Sequence, residues 1–130
     1  MGYKFFLLFS HKLTPAQIED ATQNWGISQI VYLPPQLQKL WSNVPPELDL
    51  KEVEIQILKP IKRFLLENGK EGDRVLIQGD FGAVCRMVEF AKRRELVPLY
   101  ATTRREVEER KEGDKIVKIS HFKHIRFRRF

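Results

Sequence analysis

The stretch that decides the fold is Asp73-Arg-Val-Leu-Ile-Gln-Gly-Asp-Phe-Gly-Ala83. Its apolar run, residues 75–77, is typical of a short strand buried on both faces. A turn with two glycines follows, and apolar residues then recur at helical spacing: Val84, Met87, Val88 and Ala91. A strand, a glycine turn and a helix place backbone N–H groups where a phosphate can bind. The turn matches neither the full dinucleotide fingerprint nor a Walker loop, and glycines that only permit a tight turn explain it equally well.

The composition indicates a globular protein. A chain of 130 residues, 42% of them hydrophobic, fits one domain over residues 1–130. No apolar run approaches membrane-spanning length, and the first residues lack the features of a signal peptide, so we expect a cytoplasmic protein with no membrane partner. The single cysteine, Cys85, is interpreted as a small hydrophobe rather than a nucleophile. No Cys/His spacing predicts zinc, and we expect neither a metal nor a cofactor.

The charge is positive and unevenly distributed. The net charge is +6, and residues 104–130 contribute ten Lys/Arg against five Asp/Glu, or +5. Positive charge favours polyanionic partners but does not distinguish a long nucleic acid from a small nucleotide.

The chain alternates predicted strands and helices. We expect strands at residues 4–9, 28–33, 75–78 and 97–102, with Pro98 at a strand's beginning or in an edge strand. Thr14-Pro15 begins the first helix, a short helix follows Pro34-Pro35, and residues 81–94 form the last. Residues 50–67 are helical, with a kink or a division into two helices at Pro60. Turn residues at 112–114 predict a β-hairpin between 105–110 and 115–119.

This alternation predicts an α/β, Rossmann-like fold with a mainly parallel sheet and helices on both faces. The all-apolar first strand belongs in the middle, which gives the strand order 2-1-3-4. Residues 1–103 then form the α/β core and residues 104–130 a basic C-terminal hairpin extension. Ligands bind such sheets at the switch point, outside the carboxyl ends of the strands. Three loops converge there: residues 10–12, 78–82 and 102–104.

The converging residues are suited to phosphate. Lys12, Arg104, hydroxyl groups and glycine N–H groups can bind phosphates, and Phe81 can stack on a base. With RNA, the 2′-hydroxyl of the substrate itself serves as the nucleophile, so no metal is required. His11 is the candidate general acid or base.

Structural interpretations stand beside these functional ones. A hydrogen bond from His11 to a neighbouring loop is favoured over catalysis, Asp80 is favoured as a helix cap, and Thr102 and Thr103 can simply end a strand. Trp25 and Trp41 are expected in the core. The two histidines of the basic tail, His121 and His124, are expected at the surface or in an interface rather than as metal ligands.

Several short motifs together resemble a known family. They are Phe9-Ser-His-Lys-Leu-Thr14, Tyr32-Leu-Pro34, Gln78-Gly-Asp-Phe-Gly-Ala83, Tyr100-Ala-Thr-Thr-Arg104 and Phe122-Lys-His-Ile-Arg-Phe127. Over nearly its full length the chain resembles the small stand-alone CRISPR-associated Rossmann-fold (CARF) proteins of the Csx group, of the kind called Csx-twenty. The resemblance implies a type III CRISPR ring nuclease: an enzyme that binds cyclic tetra-adenylate and cuts it to linear products with a 2′,3′-cyclic phosphate. It also implies a homodimer with the ring across the two-fold axis, and no need for long nucleic acid.

The loop positions select the candidate residues, and the resemblance implies the same set apart from Lys12 and Gly79. The catalytic candidates are His11, Arg104 and Asp80. The ligand-binding candidates are Ser10, Lys12, Gln78, Gly79, Phe81, Gly82, Thr102 and Thr103. Two alternatives stay open: a module that binds or sequesters cyclic oligoadenylate without cutting it, and a general nucleic-acid-binding protein that uses the basic tail.

Overall fold

The polypeptide alternates strands and helices up to its fourth strand and ends in a long antiparallel pair. The computed structural model describes residues 2–130. The strands are β1 (Tyr3–Leu8), β2 (Ile27–Tyr32), β3 (Arg74–Ile77), β4 (Val97–Glu112) and β5 (Lys115–Arg129). The helices are α1 (Pro15–Asn24), α2 (Pro35–Ser42), α3 (residues 50–68) and α4 (Phe81–Arg93). Within residues 2–130, none of these helices combines the length and the apolarity that crossing a membrane requires.

All five strands form one mixed sheet in the order β2-β1-β3-β4-β5. The first four strands are parallel, which confirms the predicted order 2-1-3-4, while β5 pairs with β4 in the antiparallel sense. Pro98 lies one residue after the start of β4, so the prediction of a strand beginning is confirmed. Its alternative, an edge position, is wrong because β5 covers that side of β4.

The core has two layers, one on each face of the sheet. In β1, Phe5 and Leu7 pack against α1 together with Phe127, whereas Phe6 and Leu8 face the other way. Helices α2, α3 and α4 cover that second face. Because Phe5–Leu8 of β1 is buried on both faces, this part of the strand can be apolar at every position, which is why an unbroken apolar run correctly placed β1 in the middle.

Helix α3 contains the predicted irregularity in a different form. It consists of α-helical Leu50–Val53, π-helical Glu54–Leu58 and α-helical Lys59–Asn68. The N–H of Lys59 bonds to the carbonyl of Glu54, five residues back, in the turn just before Pro60. Proline has no N–H and its ring crowds the preceding turn. The chain accommodates Pro60 by widening that turn, so the helix continues and is not divided in two.

The C-terminal hairpin is longer than predicted and is not a separate element. β4 continues without a break from the parallel sheet to Glu112, and β5 returns from Lys115 along its whole length. We call residues 104–123 the arm. It consists of the part of this pair that extends past the carboxyl ends of β1 and β3, and its turn lies at Gly113, with φ +63. The fifth strand of the sheet and the hairpin are therefore one continuous structure.

Candidate functional site

Hydrogen bonds tie together the carboxyl ends of β1, β3 and β4. The N–H of Gln78 donates to the carbonyl of Leu8 at 3.0 Å. The side-chain carbonyl of Gln78 accepts from the N–H of Ala101 at 2.8 Å. Gln78 was predicted to bind ligand; here its Oε1 extends the β3–β4 contact beyond the last backbone pair, Leu76 with Leu99. This bond fixes the edge on which the predicted loops lie.

The turn after β3 is built against a buried tryptophan. The indole N–H of Trp41 donates to the carbonyl of Gln78 at 3.0 Å, and Trp41 is 2% exposed. A β-carbon on Gly79 would lie 3.1 Å from the Trp41 ring, closer than ordinary van der Waals contact. Gly79 thus allows the turn to approach α2, and the prediction that Trp41 is a core residue is confirmed.

Asp80 caps helix α4. Its carboxylate accepts from the N–H of Ala83 at 3.1 Å, and its backbone is extended before the helix begins. This confirms the favoured structural interpretation of Asp80. Phe81 begins the helix and is 92% exposed, so its ring faces solvent beside this edge of the sheet.

The loop after β1 carries the three predicted site residues Ser10, His11 and Lys12, and all three are exposed. Its end is fixed by a capping box in which the Thr14 hydroxyl accepts from Gln17 N–H and the Gln17 side chain accepts from Thr14 N–H. The imidazole of His11 lies edge-on to the ring of Phe9, with 5.4 Å between centroids.

Two clefts flank this loop and share Phe9, Ser10 and His11. The larger, about 610 Å³, lies between the loop and α2. Its lining is Phe9, Ser10, His11, Lys12, Tyr32, Leu33, Pro35, Gln38 and Ser42. The smaller, about 280 Å³, lies between the loop and the β3–α4 turn and adds Gln78 and Gly79. The structure therefore brings together five of the predicted site residues around His11: Ser10, His11, Lys12, Gln78 and Gly79.

The larger cleft contains residues that sequence reasoning did not assign to the site. Tyr32, half-exposed at the end of β2, presents an aromatic ring. The side-chain amide nitrogen of Gln38 donates to the carbonyl of Phe9 and to the hydroxyl of Ser42, both at 2.9 Å. Tyr32 follows directly from the rule that strand ends line the site, but Gln38 reaches it only through the packing of α2.

The remaining predicted residues line neither cleft. These are Asp80, Phe81, Gly82, Thr102, Thr103 and Arg104. The hydroxyl of Thr102 is engaged with β5: it donates to the carbonyl of Arg126 at 2.8 Å and accepts from its N–H at 3.3 Å. Thr103 and Arg104 are exposed at the base of the arm, where they pair with His124 and Lys123.

His124 corrects an expectation. It was predicted at the surface or in an interface, but its side chain is 5% exposed and bonds to the Asp20 carboxylate at 2.8 Å. The same carboxylate accepts from the N–H of Phe127 and from the amide of Asn24. Burial raises the pKa of the Asp20 carboxyl, but these hydrogen bonds together outweigh it and leave that pKa below its ordinary value. His121, by contrast, is exposed on the arm beside Glu108.

Among residues 2–130, no group of three His, Cys, Asp or Glu side chains is placed to hold a metal ion. The polar groups at the carboxyl edge are instead hydroxyls, amides, one imidazole, two cations and the carboxylate of Asp80, which caps α4. They suit an anionic ligand that carries flat, partly apolar groups, because cations bind anions and the larger cleft offers aromatic surface.

The fold and the edge define an α/β protein with a five-stranded mixed sheet and a candidate ligand site at the carboxyl ends of its parallel strands. The chain belongs to the family described as the uncharacterized protein MJ1673 family, whose model matches residues 3–128. It is 50% identical over 127 residues to the uncharacterized protein MJ1673 of Methanocaldococcus jannaschii, covering 98% of this chain and 96% of that one. No solved structure matches the chain.

Proposed function

We propose that this protein is a ring nuclease of type III CRISPR defence, which binds cyclic tetra-adenylate and cuts it without a metal ion. The observation that carries the proposal is the pair of clefts that meet at Phe9, Ser10 and His11 on the carboxyl edge of the sheet. The assignment of this sheet to the CARF type of Rossmann-like fold, and a homodimer as the working form, belong to the same proposal. They rest on the resemblance of the loop motifs and on the strand order.

The proposed reaction uses a nucleophile from the ring itself. A ribose 2′-oxygen bonds to the adjacent phosphorus, and the bond from that phosphorus to the 5′-oxygen breaks. Neutral His11 accepts the proton of the 2′-hydroxyl, and the departing 5′-oxygen takes a proton from solvent, to which both clefts are open. The products are a linear chain with a 5′-hydroxyl at one end and a 2′,3′-cyclic phosphate at the other.

Cations and turn residues have separate roles in this proposal. Lys12, in the larger cleft beside His11, binds a phosphate of the ring. Arg104 stabilises negative charge on the reacting phosphate if the ring reaches from the cleft to β4. Asp80 holds the β3–α4 turn through its cap and takes no part in proton transfer.

The larger cleft accommodates an adenine. The phenol of Tyr32 offers a face for stacking, and the nitrogen of the Gln38 amide is engaged with Phe9 and Ser42. The side-chain oxygen of Gln38, Oε1, then accepts a hydrogen bond from the 6-amino group of adenine. Guanine presents a carbonyl oxygen at that position and would place two acceptors together, so the cleft favours adenine.

The test is incubation of the purified protein with cyclic tetra-adenylate in excess chelator, followed by separation of the products. Linear products with a 2′,3′-cyclic phosphate are expected. His11→Ala should lower the cleavage rate by roughly 100-fold or more while retaining ring binding. His121→Ala, a histidine on the arm, is the matched control and should leave the rate unchanged. Cleavage that survives His11→Ala overturns the role of His11, and the absence of both binding and cleavage overturns the ring as ligand.

A second candidate is a module that binds cyclic tetra-adenylate without cutting it. The smaller cleft favours this function, because its lining contains one titratable side chain, His11, so cleavage there would depend on solvent alone to protonate the leaving oxygen. The same incubation separates the two functions. Stoichiometric binding with unchanged ring after prolonged incubation would establish the binding module.

A further inference from the structure

The arm is a two-stranded ribbon whose sides are open to solvent. Every residue of the arm is exposed except Val117 and Ile119, which are half-buried. β3 stops pairing with β4 at Leu99, well before the arm begins. A two-stranded ribbon with no packing partner is marginally stable in water at best. We therefore expect another surface to pack against the arm in the working form of the protein.

The arm face on the side of α1 carries the most exposed apolar side chains of the arm, whereas the half-buried Val117 and Ile119 lie on the opposite face. Leu99 and Phe127 pack towards α1, and alternation along the strands brings Val107, Ile116 and Phe122 to the same side. These three side chains are 55%, 69% and 72% exposed. Three large apolar groups on one ribbon face indicate a protein contact.

The charges on the arm argue against a polyanion or an acidic membrane surface as its packing partner. Residues 104–123 contain seven Lys/Arg and five Asp/Glu, so the arm is close to neutral. On the α1-side face the carboxylate of Glu109 lies among Arg105, Lys111 and Lys118, whereas Glu106 and Glu108 lie on the opposite face, so a polyanion or an acidic membrane surface would meet a carboxylate on either face. A protein surface of mixed charge suits the arm better.

The register makes the α1-side face complementary to itself. On this face Arg105 lies opposite Phe122, Val107 opposite Ser120, Glu109 opposite Lys118, and Lys111 opposite Ile116. When two such faces meet about a two-fold axis that runs along the arm, each residue meets the copy of its cross-strand partner. Glu109 then faces Lys118 of the second copy, and Arg105 lies over the ring of Phe122. No pair on this face brings like charges together.

We propose that two copies of this chain dimerise by packing the α1-side faces of their arms together, with the two-fold axis along the arms. Both arms then point the same way, so the carboxyl edges of the two sheets face the same side of the dimer. The strong twist of a two-stranded ribbon lets the two bodies diverge from the axis below the arms. This inference does not depend on the identity of the ligand.

The contact is small, which predicts a weak dimer. The arm contains nine cross-strand residue pairs, and one face of a two-stranded ribbon of this length has an area of about 300 Å². A standard interface buries roughly 800 Å² per partner. Sedimentation equilibrium over a range of concentrations should show a species of twice the 15.4 kDa chain mass that dissociates on dilution. A protein that stays monomeric up to about 1 mM would overturn the proposal.

The apolar contact is tested by Phe122→Asp, which should weaken dimerisation at least ~10-fold. Leu66→Asp, at an exposed apolar residue on α3, is the matched control and should leave the dimer intact. A dimer that is unaffected by Phe122→Asp, or is lost equally with both variants, contradicts the arm as the interface.

A mixing experiment tests the two-fold arrangement itself. Glu109→Lys gives a face with two lysines at this level, and Lys118→Glu gives a face with two glutamates. Each variant alone should be monomeric, because like charges meet across the axis. An equimolar mixture should form a heterodimer, because lysines then meet glutamates in both pairs. Failure of the mixture to associate, while circular dichroism shows both variants folded, would overturn this packing.

Discussion

Asp20 joins helix α1 to the base of the arm through bonds from His124 and from the N–H of Phe127. The contact links residues 104 positions apart in the chain and holds β5 on the sheet beside a β-bulge, where Ile125 of β5 is the extra residue. No local sequence pattern predicts this contact, because its residues come together only in the tertiary fold. His124, a histidine in a basic tail, was therefore predicted at the surface or in an interface.

Asp20→Ala should lower the free energy of unfolding by roughly 2–3 kcal/mol, because it leaves a buried imidazole and a buried N–H without an acceptor. Since the pKa of Asp20 is lower in the folded state, its contribution is present above the unfolded pKa of about 3.9 and is lost as pH falls through the folded pKa. Urea unfolding at a series of pH values measures this. The difference from wild type should shrink below about pH 4, and Glu19→Ala, an exposed neighbour on α1, should show no such trend.

Substitutions of Asp80 distinguish a structural role of its carboxylate from a chemical role. Asp80→Asn should retain the stability, the ring affinity and most of the cleavage rate, because asparagine is also a good N-cap, whereas Asp80→Ala should cost about 1 kcal/mol of stability. Thermal unfolding and product analysis of both variants check this. A large loss of cleavage in Asp80→Asn with normal folding and binding would show that the carboxylate takes part in the reaction.

At the scale of elements, the glycines after β3 differ in purpose. Gly79→Ala should destabilise the protein by roughly 1–3 kcal/mol, because its β-carbon would press on the buried Trp41 ring and disturb the bond to the Gln78 carbonyl. Gly82→Ala is the matched control. Its β-carbon would approach only the end of the exposed Leu50 side chain at 2.8 Å, which can move away, so the change should be small. Urea unfolding compares the two variants, and equal losses would contradict the importance of the tryptophan contact.

The elements that the sequence predicted well are those with a strong hydrophobic period. β1 and β3 are largely buried on both faces, and α4 has one apolar face. Their sequences therefore show a clear apolar run or a clear helical period of apolar residues. The arm was predicted too short because both of its faces meet water, and residues 104–112 then show no alternation of apolar and polar residues. The site was predicted in the same partial way. Strand ends indicated His11 and Gln78, but Gln38 comes from a helix whose docking is set by tertiary packing.

At the scale of the whole molecule, the arm and the site lie on the same edge of the sheet. β4 leaves the sheet beside Gln78 and continues as the arm, so dimerisation through the arms brings two sets of clefts to one side of the assembly. Arg104, which lines neither cleft, stands at the base of the arm. Because Arg104 alternates with Arg105 along β4, it lies on the arm face away from the dimer contact, and the proposed role of this cation therefore concerns a ring bound in the clefts of its own copy.

Salt dependence distinguishes this arrangement from a general nucleic-acid-binding surface. A ring with four phosphates can release few counterions, so the logarithm of its binding constant should fall with the logarithm of salt concentration with a slope no steeper than about −3. Lys12→Gln and Arg104→Gln should each reduce that slope by roughly 0.7, whereas Lys115→Gln, at the far end of the arm, should leave it unchanged. Titration of fluorescent cyclic tetra-adenylate and of a linear oligoadenylate at several salt concentrations measures these slopes. Two results together would indicate nonspecific nucleic-acid binding instead. The linear chain would bind more tightly than the ring and with a steeper slope, and Lys115→Gln would have the same effect as Lys12→Gln. Binding would then depend on positive charge without regard to its position around the clefts.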